Sequence, residues 1–136
     1  MSISEENLKK IIIKGDTKEL VKNAKILGEA LAVEGKDSSG SSALTTSQIR
    51  NIFGTVKKIE NKEFNAEGER EFLLLKPKLA YAAKRAEKTR LPMLKTVLTK
   101  SIDLVISDEG NKKEKFRNFC NLFESILCYH KASGGK

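Results

Sequence analysis

Apolar residues recur at helical spacing through most of the chain. Leu20, Ala24, Leu27, Ala30 and Leu31 form one stripe, and Ile49, Ile52, Phe53, Val56 and Ile59 a second. Phe72, Leu75, Leu79 and Ala83 make a third, and Leu94, Val97, Leu98, Ile102, Val105 and Ile106 a fourth. The last combines Phe116, Phe119, Cys120, Phe123, Ile126, Leu127 and His130. Steps of three and four place each set on one side of a helix, which must then bury that side against its neighbours. Polar punctuation sets the ends. Gly15 stops a first helix that runs from about Ser4 to Lys14. Asp16 with Glu19, in a capping-box-like pair, opens a second from Thr17 to about Glu34, and Thr45 with Gln48 opens a third from Thr46 to about Asn61. Asn65 begins a fourth helix that Pro77 must kink or restart, because proline lacks an amide donor and crowds the preceding turn. Pro92 suits the start of a helix reaching about Ser107, Asp108-Glu109-Gly110-Asn111 turns the chain, and the last helix spans about Lys112 to Lys131. The pattern predicts an all-α fold, a compact single-domain bundle of five to six helices over residues 1–136. A Gly/Ser-rich segment at about 35–43 reads as a flexible loop and residues 132–136 as a disordered tail.

Composition narrows the class. A chain of 136 residues supports one modest core. No run approaches the roughly 18 apolar residues of a membrane span, so no membrane partner is expected. Glu5 and Glu6 precede only a short apolar triplet, Ile11-Ile12-Ile13, which does not read as a secretory signal. Cys120 and Cys128 fall on one helix at a spacing that fits no zinc pattern and is too long to bridge, which reads as reduced thiols in a cytoplasmic protein. The formal net charge of +8 is uneven: residues 1–68 carry +1 and residues 69–136 carry +7. Such asymmetry fits a surface that meets a polyanion, and equally a solvated lysine-rich face, so charge alone leaves both open.

The densest basic segment is Lys76 to Arg90, with six basic residues and one acidic residue, Glu87. If residues 77–89 are helical, Lys78, Tyr81, Arg85 and Lys88 share one face while Leu79, Ala82, Ala83 and Ala86 share the other. Such a helix docks by its small apolar side and offers cations outward. Tyr81 in this setting reads as half-buried packing rather than a base-stacking ring. Catalytic chemistry finds little footing. His130 keeps register with Phe116, Phe123 and Ile126 and reads as a structural core histidine, and Cys120 as a small core residue. Cys128 has no histidine arranged beside it, the glycines form no phosphate cradle, and Asp108-Glu109 lacks neighbouring ligands. Neither an enzyme nor a metal or cofactor site is expected. What remains is binding, and cations without base-reading geometry track a nucleic-acid backbone rather than its sequence.

Three blocks in order carry a resemblance: Leu44-Thr45-Thr46-Ser47-Gln48-Ile49-Arg50; Leu73-Leu74-Leu75-Lys76-Pro77-Lys78-Leu79-Ala80-Tyr81-Ala82-Ala83-Lys84-Arg85; and Phe119 through Phe123-Glu124-Ser125-Ile126 to Tyr129-His130-Lys131. Over residues 44–133 the chain resembles the small helical subunit of the type III-A (Csm) CRISPR effector complex. That resemblance implies a non-catalytic all-helical protein in antiviral defence, present in several copies beside the subunits that hold the guide RNA. Its implied partners are the guide RNA/target RNA backbone, other subunits of the effector complex and copies of itself. The RNA-facing residues it implies are Arg50, Lys76, Lys78, Lys84, Arg85 and Lys131. Lys57, stacked with Arg50 on one flank of the same helix, joins them as a candidate. Thr46 and Gln48 also match but read mainly as a helix start, and Glu124 and Tyr129 as an ion-pair partner and a packing residue. Two alternatives remain: a helix-turn-helix DNA-binding regulator entered at Thr45 to Val56, and a purely protein–protein helical module.

Overall fold

The computed structural model describes residues 3–107 and 110–136. Among them the chain forms seven helices: α1 (Glu5–Ile12), α2 (Thr17–Ala32), α3 (Thr46–Glu60), α4 (Ala66–Leu73), α5 (Leu75–Arg85), α6 (Leu91–Ile106) and α7 (Lys112–Ala132). The all-α bundle is the one that the periodicity predicts, and α4 and α5, counted as one kinked helix, bring it to six. Side-chain caps stand at the helix starts expected at Asp16, Thr45 and Asn65, and at Ser4 as well. The Ser4 hydroxyl accepts from the Asn7 amide, the Asp16 carboxylate from Glu19 and the Asn65 side chain from Gly68. At Thr45 the box is complete, because the Gln48 side chain also accepts the Thr45 amide at 2.9 Å. At Asp16 only half of it forms, since Glu19 Oε1 accepts instead from the Asn23 side chain at 3.2 Å.

The break in the fourth expected helix falls at Leu74, upstream of Pro77. Restarting at Leu75 makes Pro77 the third residue of α5, inside a first turn whose amides lack intrahelical acceptors anyway. The missing donor therefore costs no hydrogen bond. Of the turn expected at 108–111, Asp108 and Glu109 lie outside the described residues. Asn111 adopts the left-handed region at φ 58°, which asparagine tolerates better than most side chains.

The long helix α7 is the centre of the packing and touches α1, α2, α3 and α6. Phe116, Phe119 and Phe123 are buried along it, and all six phenylalanines of the chain join into one ring network. Phe116 stacks on Phe64 at 4.4 Å between centroids, Phe72 sets its edge against both Phe116 (5.0 Å) and Phe119 (4.9 Å), and Phe53 meets Phe123 at 5.1 Å. Each such pair adds about 0.5–1.5 kcal/mol beyond the area it buries. On the other side α2 lies close along α7 because Gly28 has no side chain. A Cβ there would sit 2.7 Å from Tyr129 Cβ and 2.8 Å from the Ile126 carbonyl oxygen.

Two segments expected to be loose make hydrogen bonds to the rest of the fold or within themselves. The tail turns back after α7: the Gly135 amide donates to the His130 carbonyl at 2.9 Å, its carbonyl accepts from the Thr46 hydroxyl at 3.2 Å, and its α-carbon lies against the His130 ring. The loop after α2 winds around Asp37, whose Oδ1 accepts from the Ser39 hydroxyl (2.7 Å), the Ser41 amide (2.9 Å) and the Ser39 amide (3.0 Å). The Ser39 hydroxyl is the main reason the Asp37 carboxyl is held below the ordinary carboxylate range.

Arg90 joins that loop to the helices. Although it belongs to the densest basic segment, it is only 2 % exposed. Its guanidinium donates to the carbonyls of Val33 (2.6 Å), Gly35 (2.9 Å) and Ala30 (3.0 Å), and its Nε lies 3.5 Å from Asp37 Oδ2. These acceptors sit at and just past the C-terminus of α2, where helix carbonyls lack partners and a cation meets the negative end of the dipole. Ser42 completes the seam, donating its amide to the Lys88 carbonyl (2.9 Å) and accepting from the Arg90 amide (3.0 Å).

Arg90→Ala is expected to lower the unfolding free energy by about 2–3 kcal/mol, the scale of hydrogen bonds from a charged donor, in a urea melt. Two glycine changes move in opposite directions in the same assay. Gly28→Ala overpacks the α2–α7 contact and loses about 1–3 kcal/mol. Gly54→Ala, in mid-α3 with nothing within 4 Å of an added Cβ, gains about 0.5–1 kcal/mol.

Candidate nucleic-acid interface

Helix α5 buries Leu75, Leu79 and Ala83, with Ala82 and Ala86 partly buried beside them. Its small apolar side is thus the docked one, as the spacing predicts. The helix ends at Arg85, earlier than expected, so Lys88 lies in the following turn instead of on the Lys78–Tyr81–Arg85 face. Tyr81, expected to pack inside, is 68 % exposed. Half a turn from Leu79 along the register, it points to solvent, and the Arg85 guanidinium lies over its ring at 5.7 Å.

The cations of this segment differ in how they are occupied. Lys78 and Arg85 are exposed and have no ion-pair partner among the described residues. Lys84 meets Glu87 one turn on at 2.9 Å, and that hydrogen bond raises its pKa above the ordinary lysine value. Solvent screens an exposed pair of this kind, so a phosphate can displace Glu87 at little cost. Lys76 is turned the other way and meets Asp103 on α6 at 2.6 Å.

Between α5 and α3 lies a groove. α3 packs on α4 and α7 whereas α5 packs on α4 and α6, so the two helices part from each other. Ile52 and Ala82 are common to both ends of the cleft, which holds about 430 Å³ beside Arg85 and about 170 Å³ beside Lys78. Leu79 and Leu91 complete its apolar floor, and the α3 rim is Gln48, Asn51 and Thr55. Sequence pattern does not single out Asn51 and Thr55. They sit four apart beside the Ile52 stripe, and only the placement of α5 shows which flank of α3 they line.

Arg50 and Lys57 do share a flank of α3, but it is the side away from the groove. Lys57 is engaged there: Glu60 accepts from its ammonium at 2.8 Å, the Phe53 ring lies 5.9 Å away, and the Glu60 hydrogen bond, with Glu124 of α7 contributing, raises its pKa. Lys131, exposed and two turns beyond Glu124 on α7, falls on the same flank. The seven candidates are therefore divided among three surfaces: Lys78, Lys84 and Arg85 on the outer side of α5, Arg50, Lys57 and Lys131 along α3 and α7, and Lys76 against α6. Lys58, missed from the sequence, is exposed on the α3 ridge between the first two sets.

Groups able to do covalent chemistry are sealed or isolated. His130 is fully buried, with Nε2 2.6 Å from the Leu44 carbonyl oxygen. Burial pushes the Cys120 thiol far above its ordinary pKa and holds it in its protonated, unreactive form. Cys128 is exposed and free. No group of three or more His, Cys, Asp or Glu among the described residues is arranged to hold a metal ion.

The chain matches the family described as Csm2 Type III-A across residues 14–136, which takes in α2 through α7. A relative described as CRISPR system Cms protein Csm2, from Enterococcus italicus, is 30% identical over 95 residues, covering 65% of this chain and 66% of that protein. The chain thus spans just under two thirds of that relative's length. No solved structure matches it. A match across nearly the whole bundle, joined to an all-helical fold, places the chain in the Csm2 family of type III-A CRISPR systems.

Proposed function

We propose that this protein is a non-catalytic small subunit of a cytoplasmic type III-A CRISPR effector complex that holds the target RNA strand, paired with its guide, by the phosphate backbone. Further subunits of the complex and copies of this chain are its partners, and RNA cleavage is left to others. The observation that carries the reading is the outer side of α5. There Lys78 and Arg85 stand exposed with no acidic partner among the described residues, and Lys84 holds only an exposed, exchangeable one. Such cations gain most from a polyanion, because phosphates release counterions on contact and displace no stabilising pair. The non-catalytic part is supported by the burial of His130 and Cys120, which removes from solvent the only histidine and one of the two thiols. Several copies along one strand supply by avidity what one weak site lacks.

The helix-turn-helix alternative fits the geometry poorly. Residues 61–65 separate α3 from α4, longer than the three- to four-residue turn of that motif. In addition, one flank of α3 is occupied by the Lys57–Glu60 pair rather than offered to a groove.

Changing Lys78, Lys84 and Arg85 together to Ala is expected to weaken target-RNA retention by the assembled complex. The log–log salt dependence of binding becomes shallower by about 2–3 as those phosphate contacts are lost. Unchanged retention by an intact complex contradicts the assignment of these three residues and favours the protein–protein module.

A further inference from the structure

We infer that Tyr81, with the α3–α5 groove beside it, receives an unpaired base of the bound RNA, an inference that rests on the RNA-binding reading and extends it from phosphate to base. Tyr81 is the most exposed large apolar side chain of the described residues, at 68 %, and it stands on α5 between Lys78 and Arg85. Its ring adds nothing to the core. The contact that holds it is the Arg85 guanidinium, 5.7 Å from the ring centre. A ring steadied by a cation on the same helix is a flat surface on which a base can stack, and the cation beside it meets the adjoining phosphate.

Arg85 also lines the wider end of the groove, so stacking surface and cleft share one residue. That end, at about 430 Å³, lies within the roughly 300–1,000 Å³ of small-ligand sites. Its floor of Ile52 and Ala82 is apolar, and the Gln48 and Asn51 amides stand on the rim. The Gln48 side-chain oxygen is committed to the Thr45 cap, which leaves its amide nitrogen for an outside acceptor. Apolar floor, amide rim and cations without acidic partners together match a nucleobase with its phosphate. An apolar helix from another protein would bury Lys78 and Arg85 uncompensated, which charge complementarity disfavours. A base inside a duplex is already stacked and paired, so the occupant is an unpaired one.

The test uses the full chain and two probes of equal length: a single-stranded RNA oligomer carrying 2-aminopurine, and an abasic ribose-phosphate oligomer. Tyr81→Leu is expected to weaken binding of the base-bearing oligomer by about fivefold or more and to abolish its fluorescence change. Binding of the abasic oligomer should stay within about twofold. Tyr81→Phe, which keeps the ring, should leave both affinities within about twofold of the unsubstituted chain. If Tyr81→Leu binds the base-bearing oligomer as well as the unsubstituted chain does, or loses equally on both probes, the base site is overturned and phosphate binding stands. If the unsubstituted chain binds both probes alike and gives no fluorescence change with the base-bearing one, the base site is overturned and phosphate binding stands.

Discussion

The burial of the α7 aromatic face is the constraint on which the rest of the structure depends. Phe116, Phe119 and Phe123 are buried along one helix, and every other phenylalanine of the chain is drawn to them. This fixes where the remaining helices can go. α2 takes the side that Gly28 opens, α3 sits at the Phe53–Phe123 contact, and α4 delivers Phe72 between Phe116 and Phe119. Helix α5 is left to pack on α6, one layer further out, by Leu75, Leu79 and Ala83. The groove between α3 and α5 is a consequence: each helix is held by a different neighbour. An outer helix docked by Leu75, Leu79 and Ala83 keeps its cations in solvent, which is the physical condition for the proposed RNA face.

The basic residues named so far are not one population. Arg90 is sealed and donates to three carbonyls at the end of α2, so its charge belongs to the fold. Lys76 and Lys57 are engaged by Asp103 and Glu60, whereas Lys78 and Arg85 are exposed with no ion pair among the described residues. Clustered like charge destabilises a compact chain unless something neutralises it. Here acidic side chains and carbonyls of the protein engage the inner members, while Lys78 and Arg85 have no ion pair among the described residues. The clamp and the proposed binding face are adjacent in sequence, and Ser42 ties the loop after α2 to the backbone between them. A change at Arg90 is therefore expected to disturb the loop and the end of α5 together.

Much of this was legible in the residues. Side-chain caps at Thr45 and Asn65 are local chemistry, written within four residues, and the structure places them where the spacing does. The apolar stripes named the core faces of α5, α6 and α7 for the same reason. What was not legible depends on contacts far apart in sequence. Lys76 finds Asp103 and Arg90 finds Ala30 only after the helices are arranged, so a run of cations reads as uniform when it is not. Tyrosines on helices commonly pack, so the sequence alone points Tyr81 inward. Its exposure follows from the helix ending at Arg85 and docking by Leu75, Leu79 and Ala83, which leaves no neighbour on that side. The tail looked featureless as Ser-Gly-Gly-Lys, yet Gly135 fits against the His130 ring because it has no side chain.

The central claim is that RNA meets the outer side of α5 and the ridge of α3, not the α1–α2 side of the bundle. Lysine labelling of the assembled complex, with and without target RNA, tests this most directly when read residue by residue in a mass spectrometer. The account predicts that RNA protects Lys78, Lys84 and Lys58 while exposed Lys9 and Lys22 on α1 and α2 label equally in both states. Protection confined to the α1–α2 lysines, or none at Lys78 and Lys84, would contradict it.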